Sequence, residues 1–189
     1  SQDQNKVYEA YERFKEYFHN PAIQHNIYQA KEEQFQEGFP RELFVKILGY
    51  ILNPQPDFNL TTELKNVKGS KKVDGAILSN GSPLAVIELK GTDTKDLDKV
   101  NDQAFSYKNN HKDCVYVVTS NFEKLRFFVQ NAVEHIEFNL FTLTEHEFRV
   151  LWLCLASENL LENLPLKVKE ESVVAEEDVT KQLYKDYSK

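Results

Sequence analysis

The sequence predicts an α/β domain, layered in the α+β sense, with a central mixed sheet of about four to six strands flanked by helices. Three observations predict it. Apolar residues recur with a helical period near the N-terminus, the period switches to two beyond residue 58, and a polar helical stretch then separates three hairpin-linked strands from a fourth apolar one. The resulting order is helix, three antiparallel strands, helix, strand, without internal repeats.

Residues 5–18 place Val7, Tyr11, Phe14 and Phe18 at i, i+4, i+7 and i+11, one stripe of a helix. Pro21 interrupts it, and the Gln-rich stretch 24–37 reads as helix or loop. A second helix is predicted over 40–52, with Pro40 in its first turn and apolar residues at 43, 44, 47, 48 and 51. The run Asn53-Pro54-Gln55-Pro56-Asp57 ends it, because proline removes a donor and disfavours helix in the preceding residue.

Residues 59–67 alternate as a strand, and 72–79 and 84–90 form a hairpin around Asn80-Gly81-Ser82, where asparagine and glycine tolerate positive φ. The segment 84–90 (LAVIELK) has apolar residues on both faces, as a central strand requires. A helix over 95–110 leads to strands 114–119, 124–130 and 135–140. Thr144 with Glu147 makes a capping box for a helix over 144–157. Beyond Pro165 the composition turns charged, and 166–189 reads as a connector plus an amphipathic helix whose apolar face has no receiver in the chain.

The 189 residues suffice for one domain with a sizeable core. We expect a domain over 1–160 and a charged connector and helix over 161–189 leading to an absent downstream domain. The longest apolar run, Val150 to Ala156, is too short for a membrane span. The polar N-terminus lacks a signal-peptide pattern, and Cys114 and Cys154, without zinc spacing, suit free thiols in a reducing, cytoplasmic setting. The absence of methionine suggests a processed or engineered start and a piece of something larger. A net charge of −7 argues against bulk electrostatic gripping of nucleic acid. The charge is uneven, however: residues 62–112 carry +2 and each of the other three segments, 1–61, 113–155 and 156–189, carries −3.

That positive segment also holds three charged residues where a buried sheet should have none. Glu88 and Lys90, two apart on one strand, share a face, and a hairpin centred near Gly81 sets Asp74 across from Glu88. Burying charges without partners costs several kcal/mol each (order of magnitude). A plain Lys90–carboxylate ion pair at a sheet edge is one explanation. The other is a divalent-metal site, in which paired hard oxygens bind Mg²⁺ while it keeps several waters, and Lys90 serves the attacking water or the developing charge.

Asp74-Gly75 and Ile87-Glu88-Leu89-Lys90 resemble the PD-(D/E)xK nuclease signature, and the element order is similar to the restriction-endonuclease-like core. Gln103 and Tyr107, four apart on the following helix, resemble the QxxxY motif of RecB-like nucleases, although an ordinary helix with a half-buried tyrosine would read the same way. Residues 32–50, 71–77, 85–91, 103–110 and 115–128 together resemble the N-terminal nuclease region of fused type IIG restriction-modification enzymes. The resemblance, covering about 30–130, implies cleavage of double-stranded DNA with Mg²⁺ or Mn²⁺. It implies metal ligation by Asp74, Glu88 and the Leu89 carbonyl, assisted by a helix glutamate. Glu33 is our choice, with Glu37 and Glu42 as competitors. It further implies a methyltransferase and specificity domain in the same full-length chain, with S-adenosylmethionine bound only there.

Lys71 and Lys72 are candidate phosphate contacts or simply solvated lysines. Pro56-Asp57 precedes the first strand and reads as a turn. His19-Asn20 and His25-Asn26 lack the context of an HNH site, Cys114 reads as core rather than as a nucleophile with His111, and His135 and His146 have no metal-ligand spacing. A non-catalytic DNA-binding or docking module on a degenerate nuclease fold, and a RecB-like repair nuclease, are the alternatives.

Overall fold

A computed structural model describes residues 3–65, 72–171 and 183–184. Helix α1 (Gln4–Phe18) starts at Asp3, whose carboxylate accepts from the N–H groups of Asn5 and Lys6, and it buries Val7, Ala10, Tyr11, Phe14 and Phe18. The 24–37 stretch resolves into two helices. Asn20 caps α2 (Pro21–Gln29), with Pro21 inside the first turn rather than merely breaking α1, and α3 (Glu32–Gln36) buries Phe35.

The helix expected over 40–52 is shorter and wider than an α-helix. Pro40–Val45 is a π-helical turn, with Lys46 N–H on Arg41 O and Leu48 N–H on Leu43 O. Gly49, at φ 87°, ends it, and a side chain there would meet Ser157 Oγ at 3.0 Å. Residues 50–52 instead run back beside the sheet, where Leu52 bridges Leu60.

The sheet contains β1 (Leu60–Lys65), β2 (Lys72–Ser79), β3 (Ser82–Leu89), β4 (Tyr116–Ser120), β5 (Lys124–Val129) and β6 (His135–Asn139), in that spatial order. All neighbours are antiparallel except β3 and β4, which run parallel because α4 (Asp98–Asn109) crosses between them. The expected mixed sheet is therefore present with six strands.

The β2–β3 hairpin turns on two residues, Asn80 at φ 51° and Gly81 at φ 79°, with Ser79 opposite Ser82 and Leu78 opposite Pro83. The register then slips by one, so that Ile77 faces Ala85 and Gly75 faces Ile87, leaving Leu84 as the extra residue. Without that slip Asp74 would oppose Ile87, on the wrong face. With it, Asp74 and Glu88 flank the last pair, Gly75–Ile87, and their carboxyls lie against each other where the ladder ends.

Hydrophobic residues cover both faces. One face, with Ile77, Ile87, Tyr116, Val118 and Phe127, packs under α1 and α5 (Glu145–Leu155), where Phe14 meets Phe148 at 5.3 Å between ring centroids. The other carries a smaller cluster of Val73, Val86, Val117 and Phe128 beneath Ala104 and Tyr107 of α4. The capping box of Thr144 and Glu147 forms. The helix ends sooner than expected, at Leu155, because Ala156 turns extended (ψ 140°) before α6 (Ser157–Leu160).

Helix α7 (Leu164–Glu171) is tied to the sheet by Leu166 N–H on Tyr116 Oη and by Lys169 Nζ on Val129 O. The tail also meets a receiving surface in its described residues, contrary to expectation: Leu183 is fully buried in the main core and Tyr184 stacks on His146 at 5.6 Å. Among the described residues no helix is long and apolar enough to cross a membrane.

Candidate active site

The site lies where β2 and β3 part. Main-chain groups of alternate β3 residues face alternate neighbours. Lys90 N–H bonds to Ser120 O on the β4 side, and Leu89 N–H points toward β2. There it donates to the side chain of Asp74, Oδ2, at 2.7 Å, so the carboxylate takes over from the backbone ladder just past the Gly75–Ile87 pair. The second oxygen of Asp74, Oδ1, accepts from Gln36 Nε2 of α3.

Glu88 shares a hydrogen bond with Asp74 and is only 2% exposed, and its Oε2 is buried without a hydrogen-bond partner. Burial, and then the charge and hydrogen bond of Asp74, push its carboxyl up to about 9, while the Lys90 ammonium pulls the other way and Glu32 adds a smaller push. An orphaned, buried carboxyl oxygen beside a second carboxylate is an acceptor suited to a cation.

Asp74 and Glu88 present hard oxygens of the kind Mg²⁺ takes, and two carboxylates suffice for an ion that keeps several waters. No cluster of three or more His, Cys, Asp or Glu side chains arranged to hold a metal occurs among the described residues.

The structure brings Asp74, Glu88, Leu89 and Lys90 together and distributes the remaining candidates around them. Glu33 and Glu37 line a cleft of about 430 Å³ with Gln36, Thr62 and Asp74. Glu42 sits apart, paired with Lys46 at 2.7 Å beside Tyr17 and Arg13. Gln103 donates through Nε2 to Lys72 O at 2.7 Å, tying α4 to the start of β2. Tyr107 is buried in the α4-side cluster and stacks on His111 at 4.2 Å. Lys72 is exposed at the head of β2, and Lys71 lies outside the described residues. Cys114 is buried, its thiol pushed up to about 12 by burial, which suits a core residue and not a nucleophile.

Sequence reasoning missed Gln36 and Glu32. They sit four apart on α3, on either side of the turn that Phe35 anchors against Phe122 (4.8 Å) and Phe39 (5.8 Å). A Cβ on Gly91 would stand 3.6 Å from Glu32 Cα, which shows how closely α3 approaches the end of β3. The polar pair flanking an aromatic anchor was visible in the sequence, but its direction was not.

A polar row also crosses the sheet. In register, Glu88 neighbours Thr119, Thr119 neighbours Arg126 and Arg126 neighbours Glu137. Thr119 is fully buried with its Oγ1 unpartnered, while Arg126 bonds Glu137 at 2.9 Å and Asp98, at the start of α4, at 2.5 Å.

Comparison with known proteins returns one family. The model described as "Type I restriction enzyme R protein N terminus" matches residues 2–135. No curated protein and no solved structure matches the chain. The matched stretch contains the whole of the Asp74–Glu88–Lys90 site and α4, and the family is a close relative of the type IIG nuclease regions that the motifs resemble. With most of its length inside that match and its carboxylates gathered at the parting of β2 and β3, the chain belongs to the type I restriction enzyme R protein N-terminal family, a PD-(D/E)xK-like nuclease domain.

Proposed function

We propose that the chain is a Mg²⁺-dependent endonuclease domain that hydrolyses phosphodiester bonds of double-stranded DNA within a restriction-modification system. The observation that carries this reading is the buried, unpartnered Glu88 Oε2 beside Asp74, with Lys90 two residues further along the same strand. Asp74 and Glu88, with the Leu89 carbonyl, would hold Mg²⁺ or Mn²⁺, and Glu33 is the helix glutamate that assists. The ion, when bound, would lower the pKa of a water and offset the charge of the phosphate transition state.

Lys90 orients the attacking water or stabilises the developing negative charge, since it follows Glu88 by two residues and its ammonium acts on the Glu88 carboxyl. Gln103 and Tyr107 work from behind. Gln103 fixes the start of β2 through Lys72 O, and Tyr107 fills the core beneath α4. Lys71 and Lys72 contact phosphate. The wider partners are DNA and the other restriction-modification components, a methyltransferase and specificity domain in the same full-length chain being the arrangement the type IIG resemblance implies. S-adenosylmethionine would bind there. A cytoplasmic location belongs to the same proposal.

The test is cleavage of double-stranded DNA with Mg²⁺ by the protein and its Glu88→Ala and Lys90→Ala variants. Each variant is expected to lose at least about 100-fold in rate while retaining DNA binding. Undiminished cleavage by either variant overturns the assignment.

A further inference from the structure

The carboxylate of Asp74 is clamped from two sides, and only one side is the backbone. Leu89 N–H takes Oδ2, and Gln36 Nε2 takes Oδ1. An ionised carboxylate accepts and does not donate, so the Gln36 amide must present its NH₂. The torsion that rotates a carboxylate is broad and nearly unhindered. A single hydrogen bond leaves the plane of Asp74 free to swing, whereas one on each oxygen fixes it.

Gln36 is itself well placed to do this. Its neighbour Phe35 is buried edge-on against Phe122 and Phe39, so the direction of the next side chain on α3 is set by the core rather than by the surface. Being neutral, Gln36 steadies Asp74 without a cation that would compete with a metal, or an anion that would add to the crowding of Asp74, Glu88 and Glu32.

We infer that Gln36 is a positioning residue for the metal site, holding Asp74 at the angle at which it and Glu88 together receive the ion. The inference rests on the nuclease reading above. Partners that orient a metal ligand typically contribute about 10- to 100-fold in affinity or activity.

The experiment is a calorimetric Mn²⁺ titration of the wild-type protein and of Gln36→Met, Gln36→Asn and Asp74→Asn. Methionine is an unbranched helix former of similar length without a donor. Asparagine keeps the amide but falls short of Asp74. Both Gln36 variants are expected to raise the Kd for Mn²⁺ about tenfold while thermal unfolding stays within about 2 °C of wild type. In cleavage assays they should raise the half-saturating Mg²⁺ concentration by the same factor, with the KM for DNA unchanged and the rate restored by excess metal. Mn²⁺ binding that is weakened in Asp74→Asn but unchanged in both Gln36 variants overturns the inference and leaves the nuclease reading intact. Binding unchanged in Asp74→Asn as well overturns the metal site itself.

Discussion

Asp74 and Glu88 meet in unequal surroundings: one is partly exposed and hydrogen-bonded on both oxygens, the other is buried with an oxygen left over. The asymmetry has a measurable consequence for stability. Glu88 titrates near 4.5 in the unfolded chain and is pushed to about 9 in the folded one. Between those values the folded state binds more protons than the unfolded state, so stability falls as pH rises. The metal-free protein is expected to be most stable, in this respect, below about pH 4.5 and to lose that contribution steadily up to about pH 9. Thermal unfolding across pH 5–9 in chelator should show the decline in wild type, and Glu88→Gln should flatten it. Asp74→Asn should shift the decline to lower pH, since it removes the nearest negative charge. A wild-type profile no steeper than that of Glu88→Gln would show that Glu88 is not held protonated.

Gln103 belongs to α4 yet secures β2. Its hydrogen bond to Lys72 O, at 2.7 Å, sits at the exposed start of the strand that carries Asp74. Gln103→Leu is expected to cost about 1 kcal/mol, read as a fall of about 2–4 °C in Tm for a chain of this size. Cleavage should fall further than stability alone explains, because the start of β2 is then free to move relative to Glu88. An unchanged Tm would mean that the bond contributes nothing.

Tyr107 allows its ring and its hydroxyl to be tested separately. The ring fills the α4-side cluster with Val73, Val86 and Val117 and stacks on His111. Tyr107→Phe retains that packing and should change stability by less than about 1 kcal/mol. Tyr107→Ala leaves a cavity and should cost about 3–5 kcal/mol. Chemical denaturation of both variants decides the matter, and a large loss in Tyr107→Phe would assign the work to the hydroxyl.

The sequence by itself determined a great deal here, because its signals are local. The outer strands declared themselves by alternation and 84–90 by a run apolar on both faces, each between turn residues, and α1 by its stripe of Val7, Tyr11, Phe14 and Phe18. The DG…ExK spacing pointed to the carboxylates because charges inside an apolar strand conflict with burial, and that conflict is visible in one dimension.

The tertiary structure decided how the expected meeting of Asp74 and Glu88 is reached and which further residues join it. The tight Asn80-Gly81 turn would by itself have set Asp74 on the opposite face from Glu88. The one-residue slip at Leu84, which no turn residue announces, restores the register of a hairpin centred on Gly81 and so brings the two carboxyls together at the end of the ladder. Gly49 stops the π-helical turn where the apolar pattern ran on to 52, since a glycine at positive φ outweighs periodicity. Gln36, Glu32 and Thr119 come to the site from elements distant in sequence, and their approach depends on packing around Phe35 and on the parallel pairing of β3 with β4. Local composition specifies which residues are charged and which strand they ride on. Register and packing across elements decide which of them touch.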